Sequence, residues 1–237
     1  MATLSITSFN TRWGLDVDDV PFDVPAAVAG FGTDVVALQE VWEPNDGSGP
    51  LRAAAADLGY QFLHVPQADS FVDPRPEITA DRARADGTWG VALLCRPPVV
   101  RTQTLDLGRL VERWDVATRY GLLAELEVDG VGITVAAHHL SFALPNALAQ
   151  LRRLSGALPR HRPSVVAGDC NLWGPLASRA VRGHRRAVLG RTWPAHRPHS
   201  QLDHLLVSAD IGVSDAAVLA PAGSDHLPIR ATLSFGG

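Results

Sequence analysis

Strand-length apolar runs, each closed by polar or acidic residues, recur along this chain and constrain its fold more than any other feature. The clearest is Ser164-Val165-Val166-Ala167, which leads directly into Gly168-Asp169-Cys170-Asn171. Runs of this length, rich in β-branched residues and bounded by turn-forming residues, predict buried strands rather than helices. The strands predicted in this way are Leu4–Asn10, Val35–Val41, Gln61–Val65, Gly90–Arg96, Gly121–Val128, Gly132–His139, Ser164–Asp169, Leu202–Ser208 and Ile229–Ser234.

Helical patterns fall between the strands. The longest, Asn146–Leu158, places leucines at every third or fourth position on one stripe, and Val24–Phe31 and Pro50–Leu58 are shorter. Asp129-Gly130 between two apolar runs predicts a tight hairpin and therefore antiparallel pairing. The sequence thus predicts an α/β protein with mixed sheets covered by helices. Two segments without such patterns are predicted to be irregular, a long mobile loop at Asp73–Gly87 and a second stretch at Trp173–Pro198.

Length and composition bound the class of protein. At 237 residues with 46% hydrophobic content, the chain can bury a large core, and we expect one domain over residues 1–237. No apolar run approaches the roughly 20 residues that a membrane-spanning helix needs. The first residues lack the basic and apolar regions of a signal peptide. We therefore expect a cytoplasmic protein without integral membrane association, with Cys95 and Cys170 as reduced thiols.

Arginine is concentrated in one part of the chain. No lysine occurs anywhere, and between Leu151 and Ser200 ten arginines accompany a single acid, Asp169. Guanidinium groups suit bidentate contacts to phosphate. The cluster is either a solvated basic face or a wall beside Asp169 that faces a polyanion, and we favour the wall. Within this stretch we expect Arg191 and Trp193 to contact substrate.

The polar residues at the ends of the apolar runs have the chemistry of a metal-assisted phosphate site. Asn10 ends the first predicted strand and Glu40 ends the second, and such oxygen ligands suit Mg2+ or Mn2+. Because side chains alternate along a strand, one of the pair His138-His139 should face the site, and we expect it to be His139.

Near the end of the chain, Asp203 and His226 could form a carboxylate–imidazole pair that favours the imidazolium. Asp225 would remain free to hold metal or to orient water. Any of these residues alone has an ordinary structural explanation, such as a turn or a surface ion pair. Their shared position at strand ends favours a single site.

Taken in order, the motifs Ser8-Phe9-Asn10, Leu38-Gln39-Glu40-Val41, His139-Leu140, Gly168-Asp169-Cys170-Asn171, Leu202-Asp203-His204 and Ser224-Asp225-His226 resemble the endonuclease/exonuclease/phosphatase superfamily, the DNase I-like proteins. The resemblance spans essentially the full chain. It implies a four-layer αββα sandwich of two mixed sheets and Mg2+-dependent attack of water on a phosphoester.

The same resemblance implies roles for individual residues. Asn10, Glu40 and Asp225 would hold the metal, and Asp169 with Asn171 would orient or activate the nucleophile. His139 and His226 would contact the scissile phosphate, and Asp203 would support His226.

The resemblance leaves the substrate open. Repair endonucleases of this superfamily usually carry Thr-Lys after the metal glutamate, whereas this chain has Val41-Trp42, which disfavours abasic-site cleavage. We expect a monomeric phosphodiesterase or nuclease. The alternatives are an enzyme acting on a small or lipid-derived phosphoester, and a non-catalytic module that binds a phosphorylated partner on the same fold.

Overall fold

The computed structural model describes residues 1–68, 87–112, 115 and 117–237. Within these residues the strands are β1 (Ala2–Asn10), β2 (Val35–Pro44), β3 (Gln61–Ala68), β4 (Gly87–Cys95), β5 (Val99–Asp106), β6 (Tyr120–Val128), β7 (Val131–His139), β8 (Ser164–Asp169), β9 (His184–Arg186), β10 (Asp203–Ser208), β11 (Gly212–Val218) and β12 (Ile229–Phe235). The α-helices are α1 (Val24–Phe31), α2 (Pro50–Asp57), α3 (Leu144–Ala157) and α4 (Gly174–Ala180).

The described strands form two six-stranded sheets. The first has the order β11-β12-β1-β2-β4-β3, and the second has the order β5-β6-β7-β8-β10-β9. In each sheet one central pair is parallel, β1 with β2 and β7 with β8, and the other pairs are antiparallel. Because the parallel strands of both sheets end in polar residues, the topology can bring those residues to one edge of the sandwich.

Three apolar clusters define four layers. The largest lies between the two sheets and includes Leu4, Leu93, Val135 and Leu205. A second cluster packs the outer face of the second sheet against α3 and α4, and a third packs the outer face of the first sheet against α1 and α2. Burying both faces of both sheets supplies the main favourable contribution to folding. The predicted αββα sandwich is confirmed.

The predicted strands and helices are all present, and the Asp129-Gly130 hairpin is confirmed with both residues at positive φ. The prediction of irregular structure over Trp173–Pro198 is wrong in part, because this stretch contains α4 and β9. The prediction also missed β5 and β11. These two edge strands are largely exposed, so they lack the apolar alternation that marks a half-buried strand.

The loop predicted at Asp73–Gly87 lies outside the described residues, except for Gly87, where β4 begins. No helix in the part of the chain that the structure describes has the length and apolar character needed to cross a membrane. Cys95 and Cys170 are both buried and unpaired with each other, as expected.

Candidate active site

The polar ends of strands from both sheets meet at one edge of the sandwich. β1 ends at Asn10, and β7 and β8 end in register at His139 and Asp169. Because β10 runs antiparallel to β8, its first residue, Asp203, pairs directly with Asp169. The segment before β12 brings His226 to the same edge, since β12 runs antiparallel to β1.

Asn10 links carboxylates from the two sheets. Its Nδ2 donates to Glu40 Oε1 at 3.2 Å and to Asp169 Oδ2 at 3.1 Å. Its Oδ1 accepts the backbone N–H of Arg12 at 3.0 Å. A carbonyl oxygen has two lone pairs, so this contact leaves Oδ1 able to take a further partner. The amide therefore fixes the distance between two acids that would otherwise repel each other.

Glu40 reaches the site because β2 is irregular there. The pairing of β2 with β4 shifts between Leu38 and Val41, and Glu40 has φ of 54°. A β-bulge of this kind redirects a side chain that regular alternation would place elsewhere. The Glu40 side chain is 14% exposed, its Oε2 is buried without a hydrogen-bond partner, and burial raises its pKa to about 7.

Asp169 is held by the turn that follows β8. Its Oδ1 accepts the backbone N–H of Asn171 at 2.8 Å, and the Asn171 side chain donates to the carbonyl of Leu140 at 3.0 Å. Asn171 has φ of 49°, a conformation that asparagine tolerates better than most residues. Burial raises the pKa of Asp169 to about 6, although His226 and these hydrogen bonds oppose the rise.

His226 and Asp203 form the predicted carboxylate–imidazole pair. His226 Nδ1 donates to Asp203 Oδ2 at 2.8 Å, and both side chains are buried. Burial disfavours the charged ring, but Asp203, with support from Asp169 and Asp225, outweighs it and raises the pKa of His226 to about 10. The free nitrogen Nε2 lies 3.9 Å from Asp169 Oδ2. A charged N–H therefore faces the acidic cluster.

His139 faces the cluster, as predicted, whereas His138 turns away, with Nε2 3.2 Å from Cys170 Sγ. His139 Nε2 lies 3.6 Å from both Glu40 Oε1 and Asp169 Oδ2. Arg119 lies 3.2 Å from the other ring nitrogen, Nδ1, and a guanidinium can only donate. The neutral ring must therefore carry its proton on Nε2, which points at the carboxylates. Burial, with a contribution from Arg119, holds the pKa of His139 well below its usual value.

Arg119 is a site residue that the sequence prediction left out. Asp115, whose side chain is fully buried, pairs with it at 3.3 Å, and its Nη1 also reaches Gln67 Oε1 at 3.4 Å. Its guanidinium carbon lies 5.3 Å from the centre of the Trp89 ring. Asp115 lies four residues before Arg119, whereas Gln67 and Trp89 come from distant parts of the chain that no local motif could have identified. The signal in the sequence is Thr118-Arg119-Tyr120-Gly121, which resembles a position where the superfamily often carries arginine, but pairing with a surface acid would explain that arginine equally well.

Asp225 lies at the rim of the site and is half-buried. Trp193 Nε1 donates to Asp225 Oδ2 at 3.1 Å, and Arg12 Nε lies 4.0 Å from the same oxygen. The Trp193 ring centre lies 6.5 Å from that of His226. The structure thus brings Trp193 to the site through Asp225. Arg191 is exposed and takes part in none of the contacts that build the cluster.

The expectation of an arginine wall beside Asp169 is wrong for much of the arginine cluster. Five of its members line a cavity that also contains Ser164 and Ser208, at the opposite ends of β8 and β10: Arg152, Arg160, Arg162, Arg179 and Arg182. These arginines are close to Asp169 in the sequence, but in the fold they lie at the opposite edge of the sheet.

The donor set of the cluster fits a divalent cation. One amide bridges the carboxylates of Glu40 and Asp169, the charge of Asp169 adds to the rise in the pKa of Glu40, and Glu40 Oε2 is buried without a hydrogen-bond partner among the described residues. Oxygen atoms of this type are the preferred ligands of Mg2+ and Mn2+. Ligand atoms of Asp169, Asp203 and His226 also lie within 4.8 Å of one another. Within that group, His226 Nδ1 and Asp203 Oδ2 are already joined by a hydrogen bond. The Glu40 side is therefore the better cation site.

The fold and this cluster define a class, αββα sandwiches with a buried acid–histidine cluster at one edge, and comparison with known proteins gives the family. Residues 7–226 match the model of the Endonuclease/Exonuclease/phosphatase family, and the chain belongs to this family. Members of the family are hydrolases that act on phosphoesters.

Individual relatives share less than a third of their residues with this chain. The protein YbhP of Escherichia coli (strain K12) is 27% identical over 255 residues, with 96% of this chain and 91% of YbhP covered. The endonuclease/exonuclease/phosphatase from Beutenbergia cavernae DSM 12333 superposes with a TM-score of 0.81 at 23% identity, covering 100% of this chain and 72% of that one. ANGEL2, a 2′,3′-cyclic phosphatase, has a TM-score of 0.70 at 16% identity, covering 98% and 95%. The similarity to these two structures establishes the fold.

Proposed function

We propose that the protein is a metal-dependent phosphodiesterase that hydrolyses its substrate by attack of water at phosphorus. The observation that carries the proposal is the meeting of two kinds of group in one buried cluster. Glu40 and Asp169 supply carboxylates suited to a cation, and the His226–Asp203 pair presents a charged N–H 3.9 Å from Asp169. Phosphoryl transfer depends on positioning and charge stabilisation, and these groups would supply both.

Glu40 and Asn10, with Asp225 at the rim, would hold Mg2+ or Mn2+. When bound, such an ion polarises the phosphoryl oxygens and stabilises the negative charge that develops during attack. Asp169 would orient the attacking water and accept its proton. Asn10 and the Asn171 backbone N–H fix both oxygens of its carboxylate, so the base has one defined orientation.

The two histidines would act differently. His226, whose pKa is raised to about 10, stays protonated near neutral pH and would stabilise charge on a phosphoryl oxygen. His139 stays neutral, and its Nε2–H would donate to a second oxygen of the phosphate. Arg119 fixes the tautomer that makes this donation available. Trp193 would act through Asp225, whose carboxylate it orients.

A phosphodiester is favoured over a phosphomonoester because the site contains few cations beside its acids. A monoester dianion would meet Glu40, Asp169 and Asp225 with the protonated ring of His226 facing it, whereas a diester carries a single charge. ANGEL2, which shares the fold, is named as a 2′,3′-cyclic phosphatase. Trp173, two residues after Asn171, is 66% exposed and offers a ring on which a nucleotide base could stack. We further propose a single-domain, monomeric, cytoplasmic enzyme.

The test is hydrolysis of a substrate panel with Mg2+, Mn2+ or EDTA. The panel contains bis-(p-nitrophenyl) phosphate, p-nitrophenyl phosphate, a 2′,3′-cyclic nucleotide, and single- and double-stranded DNA and RNA. We expect metal-dependent turnover of the diesters. We expect Asp169→Asn to reduce that turnover by about 10²-fold or more. The control Asp129→Asn removes an equal charge at the distant hairpin, where φ of 49° suits asparagine. Loss in both variants, or monoester turnover alone, would contradict the proposal.

A further inference from the structure

A large basic cavity lies at the edge of the second sheet opposite to the candidate active site. Its volume is about 1110 Å3, and its lining includes Ser164 at the start of β8 and Ser208 at the end of β10. Asp169 and Asp203 lie at the other ends of these same strands. At about 3.3 Å per residue, one six-residue strand separates the two sites by roughly 17 Å.

The charge of this cavity is strongly one-sided. Five arginines and two histidines line it, against the single acid Asp210. Asp210 is already engaged, because it accepts the hydroxyl of Ser208 at 2.5 Å. Of the five arginines, Arg162 pairs with Glu125 at 2.9 Å. The other four, Arg152, Arg160, Arg179 and Arg182, form no ion pair with any carboxylate in the described ranges, and all four are exposed.

This arrangement of like charges is electrostatically unfavourable without a bound anion. Like charges gathered around one concavity repel each other, and the protein as a whole carries a formal charge of -4. The cluster therefore does not reflect a generally basic protein. An anion bound among the guanidinium groups would relieve the repulsion and would accept bidentate hydrogen bonds from them.

The lining also indicates the kind of anion. Among the described residues that surround the cavity there is no tryptophan, tyrosine or phenylalanine on which a nucleobase could stack. His184 is held between Ser164 Oγ and the carbonyl of Arg182, both at 3.0 Å, so its ring nitrogens are occupied. Recognition would rest on charge and on phosphate oxygens, spread over more than one phosphate group.

We propose that this cavity is a second binding site, distinct from the catalytic cluster, that takes an oligophosphate anion through Arg152, Arg160, Arg179 and Arg182. The ligand is a chain of linked phosphates, recognised without a base. An anion of a few phosphates held here cannot touch Asp169, since the length of β8 separates the two. The site does not depend on the proposed hydrolytic activity.

The test is calorimetric titration of the full-length protein with inorganic tripolyphosphate in EDTA, which prevents metal-dependent hydrolysis. We expect one tripolyphosphate per chain. The double variant Arg152→Gln/Arg182→Gln should raise the dissociation constant by at least about tenfold, the effect of losing one charge-assisted hydrogen bond. The matched control Arg153→Gln/Arg101→Gln removes the same charge from exposed positions outside the cavity, one of them adjacent to Arg152 on α3, and should change it by less than about twofold.

Two further arms separate the alternatives. Asp169→Asn should bind tripolyphosphate as the unchanged protein does, and loss of binding in that variant would place the anion in the catalytic cluster and overturn the proposal. A single-stranded oligonucleotide with the same number of phosphates should bind more weakly than tripolyphosphate. Tighter binding of the oligonucleotide, equal weakening by the two double variants, or no saturable binding would each also overturn it.

Discussion

The substitution Asp203→Asn tests the chemistry of the site most specifically, because it removes one charge and keeps the shape of the side chain. Asp203 Oδ2 accepts a hydrogen bond from His226 Nδ1 at 2.8 Å inside a buried pair. A pKa of about 10 for His226, against the ordinary 6.5, corresponds to roughly 5 kcal/mol in favour of the charged ring. Asp203 is the largest favourable contributor to that raised pKa.

Without the Asp203 charge, burial becomes the dominant influence on the His226 ring and disfavours its protonation. We expect the ring to be neutral at pH 7 in Asp203→Asn. A neutral ring cannot stabilise phosphoryl charge as a cation does, and the expected loss in kcat/KM is about 10²- to 10⁴-fold.

Two measurements check this reasoning. Steady-state hydrolysis of bis-(p-nitrophenyl) phosphate with Mg2+ gives kcat/KM, and an NMR titration of the His226 ring gives its protonation. Asp129→Asn serves again as the control of equal charge. The reasoning is refuted if His226 in Asp203→Asn still holds its proton above pH 8, or if the ring is neutral and kcat/KM stays within about threefold of the unchanged enzyme.

Three further predictions concern positioning and stability. Arg119→Gln removes the donor to His139 Nδ1 and should lower kcat by about 10- to 100-fold with little change in KM, with the ring tautomer followed by 15N NMR; an unchanged tautomer would contradict this. Gly168→Ala should destabilise the fold by about 3 kcal/mol in urea denaturation, because the added Cβ would lie 2.0 Å from the backbone oxygen of His138, whereas Gly30→Ala, with nothing within 4 Å, should cost nothing. Burial lowers the pKa of His138 to about 3, so below pH 6.5 the unfolded chain binds a proton that the folded chain does not. Stability should therefore fall as the pH falls, by about 1.4 kcal/mol per pH unit from this group, and His138→Leu should remove that part of the slope; parallel curves of unfolding free energy against pH would count against it.

The strands that build the core could be predicted from the sequence because they have buried faces, whereas the four-layer arrangement followed from the family resemblance. Leu4–Asn10 and Ser164–Asp169 read as strands from their apolar residues alone, and both are central in their sheets. The missed strands β5 and β11 lie at sheet edges with mostly exposed side chains, so hydrophobic pattern carried no information about them. The short helix α4 was missed because seven residues give too few turns to show a period.

The candidate site, like the fold, could be predicted from the sequence only in part. Residues at strand ends could be predicted to meet, because the ends of neighbouring strands share an edge, and the Asp203–His226 pair followed from that reasoning. Arg119 was left out of the predicted site because its place there depends on Gln67 and Trp89, which only the folded chain brings beside it. The predicted arginine wall beside Asp169 was wrong because closeness in sequence was taken as closeness in space. Ser164 and Asp169 are close in sequence, yet a strand places them at opposite edges.

The measurement that tests the central claim most directly is phosphodiester turnover across a titration of Mg2+, from EDTA to saturation, for the unchanged protein and for Glu40→Gln. Glu40 contributes a buried carboxylate oxygen that has no hydrogen-bond partner among the described residues, and unlike Asp203 it is not paired with a histidine, so it is the group on which a cation is expected to depend most. We predict no turnover in EDTA, saturable activation by Mg2+, and at least about a tenfold higher Mg2+ requirement or loss of turnover in Glu40→Gln. Turnover that persists in EDTA, or a Glu40→Gln variant with an unchanged Mg2+ dependence, would contradict the account.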